Sequence, residues 1–119
     1  MGKKIMLVDD AAFMRMMIKN MLNQGGYTEI IEAQNGVEAV DMYKAEKPDL
    51  VVMDITMPEM DGIEALRLIK EYNASSNVVM CSALGQEKLV LDALKLGAAD
   101  FIVKPFKPDR IMETVSKFI

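Results

Sequence analysis

The sequence predicts a doubly wound three-layer α/β fold, in which helices cover both faces of a five-stranded parallel sheet. Three observations carry this prediction. Five short apolar runs alternate with five segments of helical periodicity along the 119 residues. The connections between successive runs have crossover length, which makes the strands parallel. The runs are almost continuously apolar, which is typical of strands that are buried on both faces.

The five predicted strands are apolar runs of strand length with polar or charged residues at or near their carboxyl ends. The first, KIMLVDD, ends in two acids, and the third, DLVVMD, ends in one. The second run, TEIIEAQ, is the weakest of the five. In chain order the predicted strands cover residues 4–10, 28–34, 49–54, 77–83 and 100–106.

The five predicted helices are bounded by start and stop signals. In the first, Phe13, Met17 and Met21 recur at helical spacing, and the pair Gly25–Gly26 follows as a stop. The other boundary signals are an N-cap at Asn35, a stop at Pro48, a closing glycine at Gly97 and a first-turn proline at Pro108. The predicted helices cover residues 12–27, 35–48, 62–72, 86–97 and 107–119.

Length and composition indicate one globular domain, residues 1–119, without a linker or a low-complexity segment. Hydrophobic residues make up 51% and charged residues 27% of the chain, which allows a sizeable core. The apolar runs are far shorter than the roughly 20 residues that a membrane span needs, and the first residues lack a signal-peptide pattern. We therefore expect a cytoplasmic protein with no membrane contact, and we expect a monomer.

Several function classes are excluded by residue counts. The chain has no histidine and one cysteine, so Ser-His-Asp or Cys-His catalysis, histidine-based zinc sites and an intramolecular disulfide cannot occur within it. Any metal would need oxygen ligands, which favours a hard cation. The net charge of −4 argues against a nucleic-acid partner.

Polar side chains stand at the ends of four predicted strands: Asp9 and Asp10, Asp54, Ser82, and Lys104. In doubly wound sheets the ligand site lies outside the carboxyl ends of the strands. If the first, third, fourth and fifth strands are neighbours, three carboxylates, a hydroxyl and an ammonium group meet in one cleft. Any one of these acids could be an ordinary solvated loop residue, but the convergence of all five groups predicts a site.

The chemistry of such a cluster is limited by its charge. Carboxylates with ordinary pKa values near 4 are ionised at neutral pH, so they repel one another, and a half-hydrated Mg²⁺ ion would relieve the repulsion. Mn²⁺ is the alternative cation. A carboxylate beside Mg²⁺, with Lys104 and Ser82 aimed at the same point, can act as a nucleophile toward phosphorus. Asp54 is the expected acceptor because it lies between the Asp9–Asp10 pair and the Ser82 and Lys104 side.

The stretches LVDDAAFMR, VVMDITMPEMDG, CSA and FIVKPF resemble the receiver-domain signature of two-component response regulators. The resemblance covers the whole chain, and all four motifs fall at predicted strand ends. A stand-alone receiver with DDAAFMR and MDITMPEMDGI is most similar to chemotaxis regulators of the CheY type. The resemblance implies the flavodoxin-like strand order 2-1-3-4-5.

The resemblance also implies a role for each site residue. Asp54 matches the phosphorylated aspartate, and Asp9 and Asp10 match the acidic metal-binding pair, with Asp10 as the more direct ligand. Thr56 matches the position whose backbone carbonyl binds Mg²⁺, and Lys104 matches the lysine that pairs with the phosphoryl group.

Further positions implied by the resemblance concern switching and access. Ser82 matches the hydroxyl that binds the phosphoryl group after transfer, and Ala83 and Met57 match the residues that set access to the site. Phe101 matches the aromatic switch position, which is tyrosine in many chemotaxis members, so its coupling would be steric. Pro105 follows Lys104 where the family often has a cis peptide bond.

The implied function is a phosphorylation-activated protein switch. A chemotaxis histidine kinase would donate the phosphoryl group, and a flagellar motor switch protein or adaptor would bind the activated form. A phosphatase is a further expected partner. The protein would catalyse its own phosphorylation, from phosphohistidine or small acyl phosphates, and its own dephosphorylation. The output surface would be formed by the fourth helix, the fifth strand and the fifth helix.

Other functions remain as alternatives. A phosphorelay intermediate, which passes the phosphoryl group to another histidine phosphotransfer protein, shares the same motifs. A flavin carrier of the same fold would need a hydroxyl- and glycine-rich loop where this chain has Asp9 and Asp10. A dinucleotide enzyme would need a G-x-G-x-x-G motif, which the chain lacks. An aspartyl-phosphate phosphatase would need a second carboxylate where the chain has Thr56.

Overall fold

Residues 3–119 are described by a computed structural model, in which five strands alternate with five helices. The strands are β1 (Lys4–Val8), β2 (Glu29–Ala33), β3 (Leu50–Asp54), β4 (Val78–Ser82) and β5 (Asp100–Val103). The helices are α1 (Ala12–Gln24), α2 (Gly36–Glu46), α3 (Gly62–Tyr72), α4 (Glu87–Lys95) and α5 (Pro108–Ser116). The predicted order of elements is confirmed, and the observed elements are mostly one to three residues shorter at their ends.

All five strands pair in parallel, in the order β2-β1-β3-β4-β5. The chain therefore starts in the middle of the sheet, moves to one edge with β2, and returns past β1 to build the other half. Strand order reverses between β1 and β3, so the loops that follow these two strands diverge and leave a crevice between them. The predicted doubly wound fold with order 2-1-3-4-5 is confirmed.

Two hydrophobic cores lie on opposite faces of the sheet. Alternate residues of each strand point to opposite faces, so Met6 and Val8 of β1 join the core under α2, α3 and α4. Ile5 and Leu7 join the core under α1 and α5. Because helices cover both faces, the strands carry apolar side chains on both sides, which is the pattern seen in the sequence.

Several helix boundaries agree with the sequence signals. The side chain of Asn35 accepts a hydrogen bond from the backbone N–H of Glu38 and caps α2. Asp61 caps α3 in the same way through Glu64. Pro108 stands in the first turn of α5, where a missing N–H costs nothing. These caps fix where each helix begins relative to the strand before it.

Four strands end earlier than predicted, and in β1 and β5 the difference affects the site. β1 ends at Val8 and β5 at Val103, so Asp9, Asp10 and Lys104 lie in the loops that follow. Backbone pairing continues for one bond beyond each strand, from Asp9 N to the Ala33 carbonyl and from Lys104 N to the Ser82 carbonyl. The first residues of both loops are thereby held at the sheet edge.

The buried face of α1 differs from the stripe that its spacing suggests. Phe13 is 67% exposed, and Met17 is only half-buried. The helix packs on the sheet through Arg15, Ile18 and Leu22. Apolar residues surround this helix on several sides, so its periodicity predicts a helix without deciding which face packs. Within residues 3–119, no helix is long and apolar enough to cross a membrane.

Candidate functional site

Three carboxylates meet at the carboxyl edge of the sheet. Asp9 and Asp10 follow β1, and Asp54 ends the neighbouring strand β3. One oxygen from each of the three lies within 4.8 Å of the others. Asp9 is buried, Asp54 is partly buried and Asp10 is exposed, so the cluster opens to solvent on the Asp10 side.

Lys104 reaches the same cluster from the other half of the sheet. It follows β5, which β4 separates from β3. Its Nζ lies 3.0 Å from Asp9 Oδ2 and 3.2 Å from Asp54 Oδ2. The peptide bond that follows, Lys104–Pro105, is cis. The predicted convergence of the three acids and this lysine is therefore observed in the structure.

Burial and neighbouring charges together raise the pKa values of both Asp54 and Lys104. Burial raises the pKa of Asp54 above its ordinary value; the positive charge of Lys104 opposes this shift, and the negative charge of Asp9 adds to it. Burial lowers the pKa of Lys104, but its hydrogen bond to Asp9 and its attraction to Asp54 and Asp9 outweigh that effect and raise the pKa overall. Lys104 is therefore protonated at neutral pH, and it lies beside Asp54, whose charged form is disfavoured chiefly by burial.

The backbone of Asp9 is fixed by a buried arginine that sequence analysis left without a role. Arg15 Nη1 donates a 2.5 Å hydrogen bond to the Asp9 carbonyl, and its Nε donates a 2.9 Å hydrogen bond to Glu32 Oε1. The Asp9 carboxylate also accepts a hydrogen bond from Ala11 N at 2.9 Å. The available signal was a charged residue, Arg15, in the middle of an otherwise apolar helix.

The loop after β3 is closed directly beneath Asp54. Gly62 N donates a 2.7 Å hydrogen bond to the Ile55 carbonyl. A Cβ atom on Gly62 would collide with the Asp54 carbonyl oxygen. The glycine of the MDG stretch is therefore needed for a close approach of backbone to backbone, which sets the start of α3 against the end of β3.

The predicted Ser82 and Ala83 stand on the β4 side of the cluster. Ser82 ends β4 and is 1% exposed, whereas Ala83 is exposed in the loop that follows. Thr56 lies across from them in the loop after β3 and is also exposed. Gln86, which sequence analysis treated only as the start of a helix, hydrogen-bonds to both loops, at Ala83 N and at Thr56 Oγ1.

The remaining predicted residues lie farther from the acids. Met57 is 7% exposed and belongs to the core on the α2, α3 and α4 face, so its role in access stays a prediction that this buried position does not support. Phe101 is partly buried and packs against the same core. It lines, together with Ser82, a groove of about 310 Å³ between β4, β5 and α4.

The chemistry of the cluster suits a hard divalent cation. Two ligands of one Mg²⁺ ion, each at about 2.1 Å, lie at most about 4.2 Å apart. The three carboxylate oxygens, within 4.8 Å of one another, need only small side-chain movements to reach that spacing. Asp10, exposed at the open side, leaves room for waters and a further oxygen ligand. The residues present therefore fit the predicted cation.

Comparisons with a family model and with known proteins all match this chain to receiver domains. The family model described as response regulator receiver domain matches residues 5–116. The chain is 56% identical over 117 residues to chemotaxis protein CheY of Bacillus subtilis and 53% identical over 117 residues to that of Thermotoga maritima. In both cases the match covers 98% of each chain.

A solved structure from Borrelia burgdorferi, titled as a CheX-CheY-BeF3-Mg+2 complex, matches with a TM-score of 0.92 and 40% identity. The match covers 98% of this chain and 90% of that one. The match to the family model and the identity to curated relatives both extend over nearly the whole chain, as does the agreement in fold. The chain therefore belongs to the response regulator receiver domain family of two-component signal transduction, and within it is CheY-like.

Proposed function

We propose that this receiver domain is a chemotaxis switch that accepts a phosphoryl group on Asp54 from the phosphohistidine of a sensor kinase. The observation that carries the proposal is the position of Asp54, which shares one cluster with Asp9, Asp10 and the Lys104 ammonium group. The identity of over 50% to CheY proteins supports the chemotaxis assignment.

In this proposal Asp54 attacks phosphorus. A carboxylate oxygen of Asp54 forms the new P–O bond while the bond from phosphorus to the imidazole nitrogen, or to the acyl oxygen of acetyl phosphate, breaks. The leaving group keeps the electron pair of the broken bond. Lys104 already lies 3.2 Å from Asp54 Oδ2, so it is positioned to neutralise charge on the transferred group. The Ser82 hydroxyl donates to a phosphoryl oxygen after transfer.

Asp9, Asp10 and Asp54, together with the Thr56 carbonyl, would hold Mg²⁺, and Mn²⁺ would be the alternative. The cation would supply positive charge to the phosphoryl oxygens. The structure titled with BeF3 and Mg+2 for a 40% identical relative supports this assignment. Hydrolysis of the acyl phosphate at the same site would return the protein to its resting form.

The signal leaves through the surface formed by α4, β5 and α5. Ser82 and Phe101 line one groove, so movement of Ser82 toward a phosphoryl group would open space that the ring of Phe101 can fill. Burial of a phenylalanine side chain is worth about 1.5–3 kcal/mol, enough to shift a two-state population. The partners would be a chemotaxis kinase, a flagellar motor switch protein or adaptor, and a phosphatase. The solved structure titled as a CheX-CheY-BeF3-Mg+2 complex supports a protein partner for the activated form.

Labelling by acetyl phosphate in Mg²⁺ tests the acceptor. Asp54→Asn is expected to abolish the mass gain of one phosphoryl group, because the amide lacks the nucleophilic oxygen. Asp41→Asn, the same change at an exposed position of α2, is the matched control and is expected to label normally. Continued labelling of Asp54→Asn would show that another residue accepts the group.

The alternative of a phosphorelay intermediate is separated by its products. A chemotaxis switch is expected to retain its phosphoryl group until hydrolysis and to capture a motor or adaptor protein when activated with beryllofluoride. Rapid transfer of the phosphoryl group from this protein to a second histidine phosphotransfer protein, without capture of a motor or adaptor protein, would favour the relay.

A further inference from the structure

The side chain of Gln86 ties together the two loops that border the phosphoryl site. Its Oε1 accepts a 2.6 Å hydrogen bond from Ala83 N, and its Nε2 donates a 2.9 Å hydrogen bond to Thr56 Oγ1. Ala83 follows β4 and Thr56 follows β3, which are neighbouring strands. We call this pair of hydrogen bonds the Gln86 bridge.

The local backbone turns the Gln86 side chain toward the site. Gly85 has φ +90°, a conformation that glycine adopts without strain, and it folds the loop so that Gln86 lies over Ala83. Gln86 occupies the N-cap position of α4, yet its side chain makes no capping hydrogen bond to that helix. The carboxamide is committed to the bridge instead.

The bridge joins the two strands two residues beyond Asp54 and its sheet partner. Asp54 pairs with Cys81 in the sheet, and Ile55 N donates to the Cys81 carbonyl at 3.1 Å. Ala83 is two residues beyond Cys81 and Thr56 is two beyond Asp54, so the bridge crosses the sheet edge just past the acceptor. A phosphoryl group on Asp54 would extend into the space between these loops.

In the structure, the Ala83 N–H donates its hydrogen bond to the neutral amide oxygen of Gln86. A phosphoryl oxygen carries charge, and hydrogen bonds to charged acceptors are roughly twice as strong as neutral ones. We propose that the Gln86 bridge holds the Ala83 N–H in the resting protein, and that a phosphoryl group on Asp54 displaces the Gln86 amide from it. This inference rests on phosphoryl acceptance at Asp54 and adds a residue that limits it.

Displacement would also release the loop after β4. That loop carries Leu84, which is 79% exposed, and it borders the groove that Phe101 lines. Gln86 therefore couples occupancy of the site to the mobility of the segment that leads into α4. It opposes binding of the phosphoryl group, in contrast to Lys104 and Ser82, which favour it.

Beryllofluoride in Mg²⁺ is the probe, because it occupies the site without a covalent step. Gln86→Ala is expected to bind it about three- to tenfold more tightly than the unaltered protein, since one net hydrogen bond corresponds to a factor of roughly 2 to 12 in an equilibrium. Gln86→Glu keeps the length but adds a negative charge, and is expected to bind it more weakly. Gln24→Ala, at an exposed position of α1, is the matched control and should be unchanged.

A second measurement identifies the bridge itself. Hydrogen exchange at Ala83 N without beryllofluoride is expected to be faster in Gln86→Ala. Adding Thr56→Val, which removes the hydroxyl and keeps the backbone carbonyl, should give no further gain in affinity, because the bridge is already broken. Additive effects of the two changes would overturn the bridge.

The possible failures are distinguishable. If the unaltered protein neither binds beryllofluoride nor is labelled by acetyl phosphate, the proposed function fails. If the unaltered protein does both, and Gln86→Ala binds beryllofluoride with equal or lower affinity, the function stands and the inference about Gln86 is wrong.

Discussion

Replacing Asp54, the proposed phosphoryl acceptor, by asparagine should stabilise the metal-free protein. Asp54→Asn keeps the size of the side chain and removes one negative charge from a cluster whose oxygens lie within 4.8 Å of one another. At an effective dielectric constant of 20, each repulsion at that distance costs about 3.5 kcal/mol, or about 7 kcal/mol for the two acids that face Asp54.

The same substitution loses the attraction to Lys104. Its Nζ lies 3.2 Å from Asp54 Oδ2, which corresponds to about 5 kcal/mol at the same dielectric constant. Exposure of Asp10 weakens its share of the repulsion, but burial of the Asp54 carboxylate, the largest cause of its raised pKa, also disfavours the charged form. The net gain from the amide is therefore about 1–2 kcal/mol. For a chain of 119 residues the melting temperature should therefore rise by about 4–8 °C.

The stabilisation by Asp54→Asn should decrease as the pH falls. The pKa of Asp54 is raised in the folded protein, so the folded state holds this proton more tightly than the unfolded chain does. The unfavourable charge is fully present above the folded pKa and is relieved as the pH falls through it. The advantage of Asp54→Asn should be largest at neutral pH and should shrink as the pH approaches 3.8, the ordinary value of the carboxyl.

Thermal unfolding followed by circular dichroism, at low ionic strength and with chelator present, measures the effect. Asp41→Asn on the exposed face of α2 is the control, and should change stability by less than about 0.5 kcal/mol. Millimolar Mg²⁺ should raise the melting temperature of the unaltered protein as well. A neutral-pH melting temperature of Asp54→Asn equal to or below that of the unaltered protein would refute the account of charge strain.

Three further predictions concern residues around the cluster. Arg15→Met should lower stability by about 2 kcal/mol and weaken Mg²⁺ binding in calorimetry, because the Asp9 carbonyl loses its donor; Glu32→Gln should have smaller effects, and unchanged Mg²⁺ affinity in Arg15→Met would contradict the positioning role. Phe101→Ala should be labelled normally by acetyl phosphate but bind the activated-state partner severalfold more weakly, while Phe101→Tyr should bind normally; an unchanged ratio of activated to inactive affinity in folded Phe101→Ala would mean that the ring only packs. Burial raises the pKa of Cys81 from 9.0 to about 12, so its alkylation by iodoacetamide at pH 8 should be about a thousandfold slower in the folded than in the unfolded protein, and rapid reaction of the native protein would contradict this.

The order and type of the secondary-structure elements could be predicted from the sequence. Its apolar runs and its cap and stop residues, such as Asn35 and Pro108, predicted all ten elements, because buried strands and capped helices impose local patterns. The sequence also predicted that the acids and Lys104 lie close together, because residues at the carboxyl ends of parallel strands share one edge of the sheet. The resemblance of four motifs to the receiver family supplied their expected roles.

The contacts between individual side chains could not be predicted from the sequence and follow from the three-dimensional packing. The spacing of α1 did not reveal that Phe13 faces outward while Arg15 faces inward, because apolar residues surround that helix and its packing face depends on the sheet beneath it. The sequence also gave no sign that the Gln86 side chain joins the loops after β3 and β4. A glutamine at a helix start has many possible partners, and the choice of Ala83 and Thr56 depends on Gly85 and on the pairing of β3 with β4, which bring together residues 30 positions apart.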